Sequence, residues 1–246
     1  MQLPTYIALS RLVAQQRALD VTAMNLANAG TPGFKAERVV FSDWISRQAP
    51  GDGGVGARSV AFTQDRATYR EQQPGTLEHT GNPLDLALTG NGFFSVETSQ
   101  GPRLTRAGRF SPAADGRLAD SDGNALLDTA GRPIRITGQE ARLTISGDGT
   151  ISSESGTIGK IGVVEPADVN RMSAEGGRLL LANTPTTPVK APQIVQGAVE
   201  ASNVQPILEL TRMMAGLRSF EFTSQFVQSE GERQQAAIDK LTQAKV

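Results

Sequence analysis

Apolar positions recur at alternating steps of three and four near both ends of the chain. Between them lie short alternating runs punctuated by glycine. In the first stretch Leu9, Leu12, Gln16, Leu19, Ala23 and Leu26 follow that rhythm. In the last, Leu210, Met213, Leu217, Phe220, Ser224, Val227, Ile238 and Leu241 share one seam, with Gly231 and Gln234 as weak members. Such spacing places the side chains on one narrow stripe of a helix, which another helix satisfies better than water does. Two terminal helices are therefore expected, distant in sequence and adjacent in space. Because Gln16, Ser224 and Gln234 weaken the seam, a two-helix stalk of this kind is marginal alone and needs neighbours on its other faces.

The first helix is expected over about 5–27. It carries few charges (Arg11, Arg17 and Asp20) and stops at Asn28-Ala29-Gly30-Thr31-Pro32-Gly33, where a left-handed glycine cap and a proline both end helices. Gly30 and Gly33 are the expected hinge. Residues 34–80 lack a sustained period and read as an extended linker region, with a short helical turn near Trp44 and a flexible loop at 49–56. Val60, Phe62 and Tyr69 alternate with polar residues, as extended chain does.

From Gly81 the period becomes two. Leu84, Leu86 and Leu88 alternate, and tight-turn pairs follow at Asp115-Gly116, Asp122-Gly123 and Asp148-Gly149. Further strands are expected at 134–136, 143–145 and 158–164, which suggests a compact antiparallel sandwich or barrel-like module. Ser202-Asn203 stands where a helix N-cap belongs, with Pro206 in the first turn. The organisation expected is α+β: a terminal domain built from an N-terminal helix (1–33) and a C-terminal helix (198–246), paired as a coiled-coil-like layer. A linker (34–80) and an antiparallel all-β domain (81–197) are inserted between them.

Composition changes this picture little. The 246 residues are 38% apolar and 5% aromatic, with 26 glycines and 13 prolines, which suits short strands and many turns rather than one deep pocket. A net charge of −1 argues against a nucleic-acid or anionic-membrane binder. The absence of cysteine excludes disulfides and thiolate metal sites. No apolar run approaches the roughly 20 residues of a membrane span, so no membrane insertion is expected. Arg11 and Arg17 break the N-terminal run, so no cleaved signal peptide is expected.

Catalytic chemistry finds no purchase. His79 is the sole histidine and reads as a plain loop residue. Asp120-Ser121-Asp122-Gly123-Asn124 begins like a calcium loop, but Ala125 and Gly131 stand where glycine and glutamate are needed, so a hairpin turn is expected. Asp85, Glu97, Asp115 and Asp120 show no pairing that would mark a glycosidase. A secreted wall-hydrolysing enzyme with a β domain would require convergent carboxylates or a metal site, and neither is evident. No cofactor and no metal are expected.

Three ordered segments resemble the axial proteins of the bacterial flagellum. The first is Asn25-Leu26-Ala27-Asn28-Ala29-Gly30-Thr31-Pro32-Gly33-Phe34-Lys35. The second runs from Gly81-Asn82-Pro83-Leu84-Asp85 to Gly92-Phe93-Phe94 and continues at Leu104-Thr105-Arg106-Ala107-Gly108. The third is Glu200-Ala201-Ser202-Asn203-Val204. The resemblance implies a basal-body rod subunit, most similar to the proximal type, with the distal type as the alternative. It implies a structural protein exported by the flagellar export apparatus without a cleaved signal. It further implies self-assembly, with other rod subunits as partners, into a drive shaft across the periplasm, the peptidoglycan nearby, and a need for the protein in motility. Heterologous contacts repeated along a helix give such an open tube, with the terminal helices as inner layer and the β module outside. The expected assembly residues are Leu12, Leu19, Leu26, Leu210, Met213, Leu217, Phe220 and Val227. The family signature is carried by Asn25, Leu26, Asn28, Thr31, Gly33, Phe34, Ser202 and Asn203.

Overall fold

In the computed structural model, residues 3–48, 58–136, 143–176 and 178–243 are described, and the loop expected at 49–56 lies outside them. The chain forms two compact units. A helical unit comprises Met1–Ala27, Glu37–Glu71 and Gln205–Val246, and a β unit comprises Asn28–Ala36 and Gln72–Val204. The chain thus passes between units four times.

In the helical unit, α1 spans Leu3–Ala27 and α2 spans Pro206–Gln243. Alanine, leucine, glutamine and arginine dominate α1 and favour helix. Pro206 opens α2 at the first helical position, where its missing N–H costs nothing. Glu209 in the first turn and Lys240 in the last complement the helix dipole. The helix N-cap position therefore falls on Gln205, not on Ser202-Asn203. The helices pack antiparallel. Gln15 Nε2 donates to Ser219 Oγ at 2.8 Å, and a Cβ at Gly216 would stand 2.8 Å from Leu19 Cδ2.

Between the helices in sequence comes a long hairpin, β1 (Glu37–Gln48) and β2 (Arg58–Arg70), paired antiparallel with a bulge at Val40/Phe41. The short helical turn expected near Trp44 is not there: β1 continues through it, with Trp44 opposite Phe62. Strand pairing outweighs local helical spacing in so short a segment.

The β unit is antiparallel throughout. Its largest sheet has nine strands. Phe93–Thr98 lies centrally, flanked by Gly101–Thr105 on one side and Ala125–Leu126 on the other, with Val163–Pro166 also pairing to it. A three-stranded sheet (Thr144–Ile145, Thr150–Ser153, Gly156–Lys160) and two short pairs complete the unit. The turns expected at Asp115-Gly116, Asp122-Gly123 and Asp148-Gly149 are present, each with glycine at positive φ. At Asp120 the carboxylate accepts the Asp122 and Asn124 amides, which makes a hairpin turn of the segment once compared with a calcium loop. Pro133 and Arg135 form isolated bridges, so the strand expected at 134–136 is not formed. Leu86, Leu88, Phe94, Val96, Leu118, Leu126, Ile145, Ile151 and Ile161 meet in one core. Phe94 and Phe110 pack edge to face at 5.7 Å.

Candidate functional site

The helices offer two kinds of surface. On α2 the inward seam is Glu209, Met213, Gly216, Phe220, Thr223, Val227, Glu230 and Gln234, again at steps of four and three. This is not the seam read from hydrophobicity. Met213, Phe220 and Val227 belong to it and are half-buried, whereas Leu210 and Leu217 are exposed. On α1 the buried positions are Ala8, Ala14, Val21 and Asn25. Leu12, Leu19 and Leu26 are half-buried on the flank, and Leu9, Gln16 and Ala23 are exposed. The side chain of Leu241 lies outside the described residues. Small and polar residues such as Ala8, Ala14, Gly216 and Thr223 share the inward face with Met213, Phe220 and Val227 and allow close approach of the helices, while many of the larger apolar residues turn out.

The outward faces are apolar at helical spacing. Tyr6, Leu9 and Val13 follow one another on α1, with Val13 65% exposed. Ile207, Leu210, Met214 and Leu217 do so on α2, with Ile207 83% exposed. Farther along, Phe222 and Phe226 border a cavity of about 370 Å³ with Ile7, Ala8, Arg11 and Thr223. Part of this outward stripe, Leu9, Leu210 and Leu217, is expected from the sequence on the helix–helix seam instead, and Ile207 and Met214, which stand at the required spacing, escape that expectation.

Charges tie the hairpin to the helix. Glu209, fully buried, accepts Arg38 Nη1 on Oε2 at 3.0 Å and Arg212 Nη1 on Oε1 at 2.6 Å. Arg38 Nε also donates to Glu71 at 2.7 Å, and Arg70 pairs with Glu37 at 2.7 Å. Burial by itself raises the Glu209 carboxyl, but its two arginines outweigh that and hold it below the usual range.

In the β unit the remaining signature residues converge. Gly33 donates its N–H to Glu200 O at 2.7 Å, and Ala201 N–H donates to Thr76 O at 2.8 Å. Asn203 Oδ1 accepts Ala36 N–H at 2.7 Å, and its Nδ2 donates to Gln73 O at 3.0 Å. Phe34, Ala36 and Val204 form a small core beside them. At the centre lies Glu200, whose Oε1 accepts Lys35 Nζ and Gly75 N–H. Arg106 Nη1 stands 3.5 Å from Oε2 and also reaches Leu88 O, while its guanidinium covers Phe93. Burial pushes Lys35 down from the ordinary lysine range, and Glu200 only partly offsets it.

Each remaining signature position has a structural task. Asn25, fully buried in the helical unit, donates to Glu37 O and accepts Glu37 N–H, both at 2.9 Å. Asn28 and Thr31 close the turn after α1 through Thr31 N–H to Asn28 O at 3.1 Å. Ser202 Oγ accepts Val204 N–H. Gly33 adopts φ +73°, and a Cβ there would overlap the backbone of Arg106 and Ala107. Gly30 differs from the expected left-handed cap: its φ is not positive, and nothing lies within 4 Å of a Cβ placed there. The helix ends without it, through the Asn28–Thr31 turn and Pro32. His79 sits on the exposed strand Leu77–His79 opposite Ala198 rather than in a loop. Among the described residues no group of three or more acidic or histidine side chains is placed to hold a metal ion, and no helix is long and apolar enough to cross a membrane.

Three family descriptions match in chain order. Residues 6–35 match "Flagella basal body rod protein", residues 87–153 match "Flagellar hook protein FlgE/F/G D1 domain", and residues 195–240 match "Flagellar basal body rod FlgEFG protein C-terminal". The chain is 35% identical to the flagellar basal-body rod protein FlgF of Caulobacter vibrioides, covering 96% of both chains. It is 36% identical to FlgF of Mesorhizobium japonicum over 98% of both. Identity to FlgG of Bacillus subtilis is 30%, over 95% of this chain and 97% of that one. With its signature residues placed at the end of α1 and around Glu200, and its sequence aligned end to end with these relatives, the chain belongs to the flagellar basal-body rod protein family.

Proposed function

We propose that this chain is a structural axial subunit of the proximal flagellar rod, of the FlgF type, polymerising through its terminal helices. The carrying observation is the pair of apolar stripes, Tyr6-Leu9-Val13 on α1 and Ile207-Leu210-Met214-Leu217 on α2, exposed at helical spacing in a member of the rod family. A stripe of this kind is buried by another helix in coiled-coil fashion. The occupants are the terminal helices of further copies and of other rod subunits, including the FlgG-type distal rod. Head-to-tail contacts of two different faces propagate into an open tube rather than closing a dimer. In this reading the helices α1 and α2, which lie within residues 1–33 and 198–246, form the polymerising domain, and residues 81–197 form a domain that does not carry the polymer. The flagellar export apparatus delivers the subunit without a cleaved signal, and the finished shaft crosses the periplasm and its peptidoglycan. The role is structural and involves no catalysis.

Higher identity to the two FlgF relatives favours the proximal type; the match to the Bacillus FlgG supports the distal type as a second reading. Purified basal bodies from a strain lacking the gene and from the complemented strain separate them. A proximal subunit should be present in complemented basal bodies, and its loss should remove the distal rod and abolish swimming. Proximal subunits retained without this chain would favour the distal type. Motility of the null strain would sink both readings.

A further inference from the structure

The segments 28–36, 72–76 and 200–204 contain every point at which the chain enters or leaves the β unit. They meet at the buried cluster of Lys35, Glu200 and Arg106. Main-chain bonds already join them: Gly33 to Glu200, Ala201 to Thr76, and Asn203 N–H to Phe34 O at 3.4 Å. Main-chain bonds repeat along an extended segment, so alone they tolerate slippage in register. A buried side-chain charge cannot slip without losing its partner.

We propose that Lys35, Glu200 and Arg106 form a specificity clasp, which fixes one arrangement of the three connecting segments and adds no net stability. Two cations face one carboxylate in a buried site, so the charges are imperfectly balanced. Glu200 Oε2 accepts no hydrogen bond among the described residues. Burial weighs more heavily on Lys35 than its carboxylate partner returns, and the same holds for Arg106. Desolvation of this kind makes an apolar replacement of equal size neutral or favourable for stability, whereas removal of one partner leaves an uncompensated charge. What the ionic cluster supplies beyond a methionine is its directionality. The inference stands apart from the rod reading, because both measurements below are made on the isolated chain.

The test uses the full-length protein with the double variant Lys35→Met/Glu200→Met, made on an Arg106→Met background so that side-chain volume is kept and no buried cation is left without its carboxylate, beside Glu200→Met alone in the wild type. Thermal midpoints and amide hydrogen exchange are recorded for each. The double variant should keep or raise its midpoint, while the amides of Gly33, Ala36, Ala201 and Asn203 lose protection about tenfold or more. The amides of 86–88 and 93–98 should keep theirs. Glu200→Met strands two cations and should lower the midpoint most. Unchanged protection at the four junction amides in the double variant would overturn the proposal. So would a double variant that is as destabilised as Glu200→Met or does not fold, since the clasp would then be an ordinary stabilising contact.

Discussion

The β unit and the helical unit handle their hydrophobic residues in opposite ways. In the β unit Leu86, Phe94, Val96, Leu118, Leu126, Ile151 and Ile161 are withdrawn from solvent into one core supplied by several sheets. In the helical unit the seam between α1 and α2 mixes small and polar groups such as Ala8, Ala14, Gln15, Gly216, Ser219 and Thr223 with only a few large apolar ones, Met213, Phe220 and Val227. The large apolar side chains Leu9, Val13, Ile207, Leu210, Met214 and Phe222 remain outside. Each forgoes part, in proportion to its exposure, of the about 1.5–3 kcal/mol that full burial would contribute. The β unit closes its own core. The helical unit leaves much of its apolar area in solvent, the area that the proposed rod packing would bury.

The largest effect falls where the signature segments converge. Gly33→Val combines a left-handed backbone, which valine tolerates poorly, with overlap on the Arg106–Ala107 backbone. It should destabilise the β unit by more than about 4 kcal/mol, in the range reserved for severe local defects. Gly30→Val, with ordinary φ and open space, should change stability by about 0.5 kcal/mol or less, as a surface substitution does. Urea titration of the two variants checks the contrast, and equal destabilisation would show that Gly33 is not the constrained position.

The sequence made the two-helix, inserted-β organisation readable because period is set by geometry. Steps of three and four demand a helix, alternation demands a strand, and Asp-Gly pairs demand turns. Which face of α2 turns inward was not readable from the same residues. Hydrophobicity selects Leu210 and Leu217, but Gly216 and Ser219 permit the closer approach, and the face that packs in one chain is the less apolar one. The hairpin of β1 and β2 was legible only in part: Val60, Phe62 and Tyr69 alternate as β2 requires, but Val39-Val40-Phe41 and Trp44 in β1 do not, so the pairing of the two strands was not announced. Lys35, Arg106 and Glu200 stood in the recognised segments without an assigned role. Their signal is charge set among glycine, alanine and apolar neighbours, as in Gly33-Phe34-Lys35-Ala36, where a solvated surface would be more polar.

A second prediction separates folding from assembly. Phe94→Ala removes a fully buried ring and should cost about 3–5 kcal/mol. Leu217 is 44% exposed, so Leu217→Asp should alter the stability of the isolated chain by about 0.5 kcal/mol or less. In the cell, Leu217→Asp should nonetheless prevent incorporation into basal bodies and stop swimming, because the aspartate would be buried against a neighbouring helix. A swimming Leu217→Asp strain would mean that the α2 stripe is not an assembly face. A strongly destabilised monomer would mean that Leu217 packs within its own chain.

The smallest effect is the part of the pH response that belongs to Glu209, which falls on the helical unit; the β unit has lowered carboxylates of its own at Asp115, Asp128 and Asp148. Glu209 is held below its usual titration range by Arg38 and Arg212 against the opposing pull of burial. A carboxyl depressed in the folded state contributes stability at pH above its unfolded value, and that contribution disappears as pH falls through the folded one. Acidification from neutrality to pH ~3, below the ordinary glutamate value, should therefore loosen the attachment of α2 to the base of the hairpin. Glu230, lowered by Arg233 and Gln234, adds to the response of the same helix, so the useful quantity is the difference between wild type and Glu209→Gln. Helicity followed by circular dichroism during heating should show a midpoint that drops further on acidification in the wild type than in Glu209→Gln. Hydrogen-exchange protection of the amides of 93–98 in the β core should fall no further in one protein than in the other. Identical acid sensitivity of the two helical transitions would show that the Arg38–Glu209 pair does not anchor the helix.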